Sequence, residues 1–414
     1  MKKLILALHV IFLMACNQAE NTQLKSHDIT GLWRGVLTSP GGELPFGIEI
    51  KSTDGEYSAK IINGVERVDT SSVTLKDDNI IIAIDWFDAL IDARILDEGE
   101  KLTGFWRKTA SGKNNSSQLA FVATRGYKIR FTQESQLKKV NPLSGSWKVV
   151  FSDEDGDSKA IAEFSQKDHV VNGTFLTPIG DYRYLAGVAS DGKLQLSAFD
   201  GAHAFLFRAD IEGGEIVNGD FWSRDSYHAT WKAEKSDDVS DYLPNSWEMN
   251  KVTNTVEFAF EDSNGKLIQL TDERFSNKVV LINLFGTWCP NCNDEAPVLA
   301  KLYDKYKDQG LEIVGLAFEF TEDKKRDEQQ LVIFKKRHNI KYPLLLAGGN
   351  DKSEATKILG FLDKVKSYPT TLFLDRNHNV VKINTGFSGP GTGEHYKRLI
   401  EELDFEINSL LQSD

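Results

Sequence analysis

The chain has 414 residues and a formal net charge of −12. A chain of this length is expected to form two to four domains, and a hydrophobic content of 40% is sufficient for their cores. The acidic balance and the lack of a basic stripe argue against nucleic acid as a partner. Only three cysteines occur, so a fold held together by disulfides is excluded.

The N-terminal residues resemble an export signal. Lys2-Lys3 is followed by an apolar run over 4–14, which is too short to span a bilayer as a helix of the mature protein. The run ends in Leu13-Met14-Ala15-Cys16. This motif resembles a bacterial lipobox, in which the cysteine is lipidated and becomes the first mature residue.

The resemblance implies a lipoprotein signal peptide over 1–16 and a lipid anchor on Cys16. It implies a periplasm-facing place in the bacterial cell envelope, where the compartment is oxidising. An ordinary signal peptide cleaved near Ala15 is the alternative. Asn17 slightly favours the outer membrane over the inner one, and residues 17–29 are polar enough to act as a tether.

Residues 30–235 are predicted to be all-β. Short apolar runs alternate with turn signals such as Asn63-Gly64. Gly31-Leu32-Trp33 is answered by Gly145-Ser146-Trp147, and further segments recur in the same order. We therefore expect two homologous repeats, 30–126 and 143–235, each barrel-like or sandwich-like. The alternative is that they are two halves of one sandwich.

The role of the two repeats stays open at this point. The Gly-x-Trp near the start of each is faintly similar to the first strand of lipocalins, where the Trp plugs a small barrel. The repeats are interpreted as a spacer above the membrane, a surface that docks a client or partner, or a barrel for an apolar ligand. Residues 236–250 are predicted to be an exposed linker to an α/β domain over 251–414.

A C-x-x-C pair, Cys289 and Cys292, follows the strand-like run 279–285 and opens a helix-like run over 294–306. At the start of a helix, free N–H groups and the helix dipole favour the thiolate of the first cysteine. The second cysteine can attack a mixed disulfide formed on the first. The spacing thus predicts thiol–disulfide exchange, with Cys289 as nucleophile and Cys292 as resolving thiol.

Other uses of such a pair are weaker. A structural zinc site needs four ligands, and the chain has no second cysteine pair and no closely spaced histidine pair. Haem attachment needs a histidine where Asn293 stands. A plain structural disulfide remains an alternative. We therefore expect no metal and no cofactor.

Residues 251–414 resemble the membrane-tethered thioredoxin-like family that includes TlpA and ResA, which is related to AhpC/TSA proteins in fold. The matching positions are the strand and loop that lead into Cys289, the acidic residue Glu295, the Tyr368-Pro369-Thr370 segment and the glycine turn at 386–390. The resemblance implies a thioredoxin-like α/β domain and a thiol–disulfide oxidoreductase activity. It implies a cis peptide before Pro369, facing the cysteines.

The same residues have expected roles. Asn283 stands where thioredoxins carry a buried proton-accepting aspartate. Glu295, one helical turn after Cys292, is expected to supply that carboxylate. Tyr368 and Thr370 beside Pro369 are expected to bind substrate backbone. Trp288 is expected to cover the pair. A solvent-facing Glu295, a trans Pro369 and simple surface packing of Trp288 are the alternatives.

The resemblance implies reduction of disulfides in exported proteins, with apocytochrome c as a familiar client and a membrane thiol donor as the electron source. Between the cysteines, however, Pro290-Asn291 replaces the usual Glu-Pro, which leaves the direction of electron flow open. One alternative is a thiol peroxidase, although Gly286 stands where peroxiredoxins carry threonine. Another is a non-catalytic binding lipoprotein with a vestigial thioredoxin domain.

Overall fold

The computed structural model describes residues 28–108, 116–126, 130–131, 142–321 and 323–413. Cys16, the predicted signal peptide and most of the tether lie outside these ranges, so lipidation stays a prediction. No helix in the described part of the chain is long and apolar enough to cross a membrane.

The first repeat is a closed antiparallel barrel. Neighbouring strands pair in chain order, and the first strand pairs with both the second and the last, which closes the sheet on itself. A short fourth strand lies outside the ring and pairs only with the third. The strands are β1 (Gly31–Ser39), β2 (Gly42–Thr53), β3 (Glu56–Asn63), β4 (Glu66–Asp69), β5 (Ser72–Lys76), β6 (Asn79–Ile84), β7 (Ala89–Leu96), β8 (Lys101–Lys108) and β9 (Ser117–Arg125).

The second repeat has the same topology and closes through the pairing of its first and last strands. Each repeat therefore forms its own eight-stranded ring, and the alternative of a single shared sandwich is wrong. The strands are β10 (Gly145–Asp153), β11 (Gly156–Lys167), β12 (Val170–Thr177), β13 (Gly180–Asp181), β14 (Leu185–Ser190), β15 (Lys193–Phe199), β16 (Ala204–Glu212), β17 (Glu215–Ser223) and β18 (Tyr227–Lys235).

The repeated tryptophans have equivalent positions. Trp33 is buried and donates a hydrogen bond of 3.0 Å from Nε1 to the carbonyl of Ile29. Trp147 is buried and donates one of 2.8 Å to the carbonyl of Leu143. In both barrels the indole thus ties the entering chain to the core, as expected for a tryptophan that plugs one end.

The interior of the second barrel is filled by aromatic rings. Phe207 stacks on Phe221 with ring centroids 4.3 Å apart, and Phe175 stacks on Phe207 at 4.6 Å. Phe151 and Trp231 complete this buried cluster. Because these buried rings fill the space, the interior of the second barrel does not favour the apolar-ligand interpretation.

The two barrels are joined by buried contacts. The Asn63 side chain donates a 2.7 Å hydrogen bond to the carbonyl of Phe199 and accepts one of 3.1 Å from its amide. The Phe199 ring belongs to the second barrel but packs against Phe46 in the core of the first, with centroids 4.4 Å apart. The pair therefore forms a continuous β body.

The predicted linker contacts the domains on both sides of it. Tyr242 donates a 3.1 Å hydrogen bond to the carbonyl of Val149 in the second barrel. Trp247 donates one of 3.0 Å to Glu402 and packs against Phe373 in the α/β domain. The segment thus combines exposed residues with two aromatic side chains, Tyr242 and Trp247, that pack on the domains on either side of it.

The C-terminal domain has the predicted thioredoxin-like arrangement. The strands are β19 (Ala259–Asp262), β20 (Leu267–Gln269), β21 (Val279–Phe285), β22 (Leu311–Glu319), β23 (Leu344–Gly349), β24 (Thr370–Leu374) and β25 (Val380–Thr385), and the helices are α1 (Pro290–Tyr306), α2 (Lys324–Arg337), α3 (Lys352–Leu359) and α4 (Glu394–Gln412). The strands form one mixed sheet in the order β20-β19-β23-β22-β21-β24-β25, in which β21 is parallel to β22 and antiparallel to β24.

Helix α1 begins at Pro290, four positions before the predicted start at 294. Proline is favoured in the first turn because its missing N–H has no partner to lose there. Cys289 is the N-cap, and every residue of the preceding strand β21 is buried. A fully buried strand thus delivers the first cysteine directly to a helix N-terminus.

Candidate active site

The two cysteines lie at the first turn of α1 and are not joined by a disulfide. The Sγ atom of Cys289 accepts a 3.2 Å hydrogen bond from the amide of Cys292. An N–H donor and the positive end of the helix dipole both favour a negative sulfur. Both cysteines are buried, but Cys289, 5% exposed, lines a cleft, whereas Cys292 is 2% exposed and lies one turn further into the helix.

The buried cysteine is hard to ionise. Burial raises the pKa of the Cys292 thiol well above its usual value, and the neighbouring Cys289 sulfur and the Glu295 carboxylate raise it further. Cys292 therefore needs a proton acceptor before it can attack. The asymmetry agrees with Cys289 as the attacking thiol.

Glu295 is the candidate acceptor. It is 1% exposed, and burial raises its pKa to about 7, although hydrogen bonds from Asn283 and Thr371 oppose that rise. The Asn283 amide donates 2.7 Å and the Thr371 hydroxyl 3.0 Å to its two oxygens. A pKa near neutrality lets one carboxyl both take up and release a proton. The alternative of a solvent-facing glutamate is wrong.

The loop opposite the cysteines carries a cis peptide between Tyr368 and Pro369, as predicted. The Cys289 thiol lies 3.5 Å from the Tyr368 carbonyl, in donating geometry. Within the described residues, nothing accepts a hydrogen bond from the Tyr368 amide. Thr370 is buried, and its hydroxyl donates a 2.9 Å hydrogen bond to the Ser367 carbonyl. It therefore supports the loop and does not face the cleft, contrary to the expectation that it binds substrate.

Trp288 lies between the cysteine turn and the cis-proline loop. Its ring meets the Tyr368 ring edge-on at 6.0 Å, and its Nε1 donates 2.9 Å to the carbonyl of Phe318. The indole is half-buried and lines the cleft at Cys289. This placement agrees with the predicted cover over the pair and excludes a loose surface position.

The sequence reasoning missed Glu319, at the end of β22. Glu319 is buried and accepts hydrogen bonds of 2.8 Å from both the amide and the hydroxyl of Thr287. Burial raises its pKa to about 7. It fixes the turn between the strand and Cys289. A carboxylate at the end of the apolar run that forms β22 was the feature of the sequence that could have indicated Glu319.

Asn293 was considered only as the residue that excludes haem attachment, yet it ties the helix start to its surroundings. Its side-chain amide donates 2.9 Å to the carbonyls of Thr287 and Cys289. Its oxygen accepts 3.0 Å from His338, whose pKa burial lowers to about 3 and which is therefore neutral. Asn293 thus ties the cysteine turn to the backbone of Thr287 and Cys289 through its nitrogen and to the His338 side chain through its oxygen.

The second barrel reaches the active site through residues 177–184, here named the barrel arm. The Asp181 carboxylate accepts 2.6 Å from the amide of Gly389, and the Ile179 carbonyl lies 3.4 Å from the Ser367 hydroxyl. Gly180 packs so closely on Asn291 that a Cβ there would lie 1.8 Å from the amide nitrogen of Asn291. The dipeptide between the cysteines is therefore covered by a different domain.

A buried ion cluster holds this contact. Arg183 of the barrel arm pairs with Asp294 on α1, with Glu66 of the first barrel at 2.6 Å and with Asp200 of the second at 3.3 Å. Burial raises the pKa of Asp294 to about 7, although Arg183 lowers it. One arginine therefore links all three domains. A pure spacer role for the barrels does not agree with these contacts.

Among the described residues, no group of three or more His, Cys, Asp or Glu side chains is arranged to hold a metal ion. The chemistry available at the site is that of the two thiols, the buried carboxyl of Glu295 and the backbone of the cis-proline loop.

Comparisons with known proteins cover the C-terminal domain. The AhpC/TSA family model matches residues 252–383. The thiol-disulfide oxidoreductase ResA of Halalkalibacterium halodurans is 30% identical over 148 residues, which are 35% of this chain and 74% of that protein. The ResA of Bacillus subtilis is 32% identical over 146 residues, or 35% of this chain and 72% of that protein. A solved thioredoxin-family protein from Chlorobium tepidum is 19% identical, with a TM-score of 0.30 over 39% of this chain and 97% of that one.

Fold, site and relatives together define an enzyme of the thioredoxin-like class that exchanges thiols and disulfides. Within that class, the chain belongs to the ResA family of thiol–disulfide oxidoreductases. The two β barrels lie outside the residues that the family model matches.

Proposed function

We propose that the protein reduces disulfides of exported proteins in the bacterial cell envelope, using Cys289 and Cys292 as its redox pair. The observation that carries this proposal is the 3.2 Å hydrogen bond from the Cys292 amide to the Cys289 sulfur at the start of α1. The bond places an N–H donor at the Cys289 sulfur, while burial raises the pKa of the Cys292 thiol.

The reaction proceeds in two exchanges. The Cys289 thiolate attacks one sulfur of a client disulfide, forms a mixed disulfide and releases the other client sulfur as a thiolate. Cys292 then attacks the Cys289 sulfur and releases the client. The client gains two electrons and becomes a dithiol, while the enzyme becomes a disulfide. A membrane-held dithiol donor restores the reduced enzyme.

Glu295 serves the second exchange. Cys292 is a poor nucleophile while protonated, and its buried position keeps water from taking the proton. The deprotonated Glu295 carboxylate accepts that proton, directly or through one water. Asn283 and Thr371 are positioning residues, since they hold both carboxylate oxygens.

The cis-proline loop and Trp288 bind the client. The free amide and the carbonyl of Tyr368 can pair with an extended client segment as an added strand. Pro369 has no N–H and so adds no competing donor beside them. Exported proteins with accessible disulfides are therefore the proposed clients, and apocytochrome c is one candidate.

The location rests on the N-terminal sequence. A basic start, an apolar run over 4–14 and the lipobox-like motif ending in Cys16 support an exported lipoprotein that faces the periplasm. The ResA similarity is consistent with action outside the cytoplasm. The outer membrane is slightly favoured by Asn17.

An insulin-reduction assay with dithiothreitol as donor tests the activity. The wild-type protein should accelerate reduction, and the Cys289→Ser and Cys292→Ser variants should not. A parallel assay follows consumption of hydrogen peroxide. Catalytic loss of peroxide would favour a thiol peroxidase, and inactivity in both assays would favour a non-catalytic binding lipoprotein.

A further inference from the structure

The cleft beside Cys289 is built by two domains. Its volume is about 590 Å³, and its walls come from the redox domain on one side and from the second barrel on the other. Trp288, Cys289 and Tyr368 form the redox wall, while Phe151, Ile179 and Tyr182 are among the residues of the barrel wall. Cavities of this size can bury most of the surface of a drug-sized ligand.

From this geometry we propose that the barrel arm is the second wall of the client site, and that the cleft takes an extended polypeptide segment carrying an apolar and an acidic residue beside its disulfide. The inference rests on the proposed function and specifies its substrate class. It assigns the barrels a part in substrate selection.

The arm is held in place, as a binding wall requires. Asp181 binds the Gly389 amide, and Arg183 pairs with Asp294 two positions after Cys292. Gly386 fits against the arm because a Cβ there would lie 2.5 Å from the Ile179 carbonyl. These buried contacts fix the distance between the arm and the cysteine turn.

The shape of the cleft favours an extended chain. No group in the described residues accepts a hydrogen bond from the Tyr368 amide. This amide can therefore donate a strand-like hydrogen bond to a client beside the reactive sulfur. The apolar side chains of Ile179 and Tyr182 stand on the opposite wall. A client strand bonded to the loop would project alternate side chains toward the arm.

Charge selects an acidic segment. Lys159 and Lys352 line the cleft, and neither forms an ion pair with any residue that the structure describes. The Lys159 ammonium lies 4.9 Å from the centroid of the Tyr242 ring, and the Lys352 ammonium donates 2.8 Å to the carbonyl of Lys366, so both charges are available to a bound carboxylate. The acidic residue of the lining is Asp181, whose oxygens already accept hydrogen bonds from the backbone of Gly389 and Arg183. In a chain of net charge −12, the cleft is a local site of positive charge.

Two matched disulfide-linked peptides test the inference, identical except for Glu or Lys next to an apolar residue and the disulfide. The wild-type protein should reduce the Glu peptide with a kcat/KM roughly fivefold higher than the Lys peptide. Lys159→Glu should abolish or reverse this preference. Lys167→Glu, on the same strand but not in the lining, is the control and should retain it.

A second pair of variants tests the apolar wall. Ile179→Ala should raise KM for both peptides more than it raises KM for hydroxyethyl disulfide, a small neutral substrate. Val170→Ala, at an exposed position of the same barrel, should change neither. Circular dichroism should show all four variants to be folded.

The outcomes separate the two proposals. Equal rates on both peptides, or equal effects of Lys159→Glu and Lys167→Glu, overturn the inference while reduction of hydroxyethyl disulfide upholds the proposed function. Preserved peptide kinetics in Ile179→Ala also overturn it. A wild-type protein that reduces none of the three substrates overturns both.

Discussion

The side-chain amide of Asn283 donates a 2.7 Å hydrogen bond to the carboxylate of Glu295 in the buried space behind the cysteine turn. In this chain the neutral amide of Asn283 occupies the position on strand β21, and helix α1 supplies the ionisable group, the Glu295 carboxyl. The Thr371 hydroxyl holds the other oxygen at 3.0 Å, so the carboxylate cannot turn away from this position without losing both partners.

Glu295→Gln should slow disulfide reduction at pH 7 by roughly a hundredfold, because it removes the proton acceptor for Cys292. The pKa of Glu295 is about 7, and the active form is deprotonated. The wild-type rate of the second exchange should therefore rise through pH 7, and the variant should lack this inflection. The exposed Glu354→Gln is the control. Superimposable pH–rate profiles for wild type and Glu295→Gln would remove Glu295 from the mechanism.

The buried carboxyls also predict how stability depends on pH. The pKa of Glu319 is raised from 4.5 to about 7, so the folded state holds its proton where the unfolded chain has released it. The stabilisation is complete below pH 4.5 and is lost as pH rises toward 7. The size of this stabilisation is about 3 kcal/mol if the folded structure does not relax around the ionised carboxylate.

Glu319→Gln should therefore reduce the fall in melting temperature between pH 5 and pH 8. The comparison within one variant cancels any constant cost of altering the hydrogen bonds to Thr287. Glu401→Gln, on the exposed side of α4, should leave the fall as in wild type. An identical fall in wild type and Glu319→Gln would contradict the account of Glu319.

Arg183→Met should destabilise the protein by about 3 kcal/mol or more, because it leaves several buried carboxylates without their cation. Arg107→Met, which breaks an exposed pair with Asp92, should cost at most about 1 kcal/mol. Urea unfolding measures both. Adding Asp294→Asn to Arg183→Met should restore part of the loss, since it removes one unpaired charge. Equal losses for the two arginine variants would show that the cluster does not hold the domains together.

Cys16→Ala should move the protein from the membrane fraction to the soluble fraction of the envelope. The motif ending at Cys16 is the predicted anchor, and no helix in the described part of the chain could replace it. Cell fractionation with an antibody against the protein measures the change. Retention in the membrane fraction would point to an anchoring surface on the barrels.

Local sequence patterns predicted the core of the redox domain well. A run of seven residues, six of them apolar, placed β21 at 279–285, and the C-x-x-C after it indicated the start of a helix. The helix-like run was predicted from 294, whereas the helix begins at Pro290, a residue compatible with the first turn. Repeated Gly-x-Trp motifs correctly indicated two homologous β units.

Long-range contacts could not be predicted. Ile179 and Ser367 are far apart in the chain, and nothing in the local pattern around either residue indicates that they meet. The barrel arm is a short polar and aromatic segment whose sequence is typical of an ordinary turn. Whether a set of alternating strands closes into one sandwich or two barrels depends on which edges pair, and alternation alone does not specify edges.

The most direct test of the central claim is the covalent trap. A Cys292→Ala variant incubated with insulin should accumulate a mixed disulfide, because the second exchange cannot release the client. Peptide mapping by mass spectrometry should find insulin cysteine attached to Cys289, and Cys289→Ala should form no comparable adduct. An adduct that forms on Cys292 in Cys289→Ala, with none in Cys292→Ala, would contradict the assignment of Cys289 as the attacking thiol.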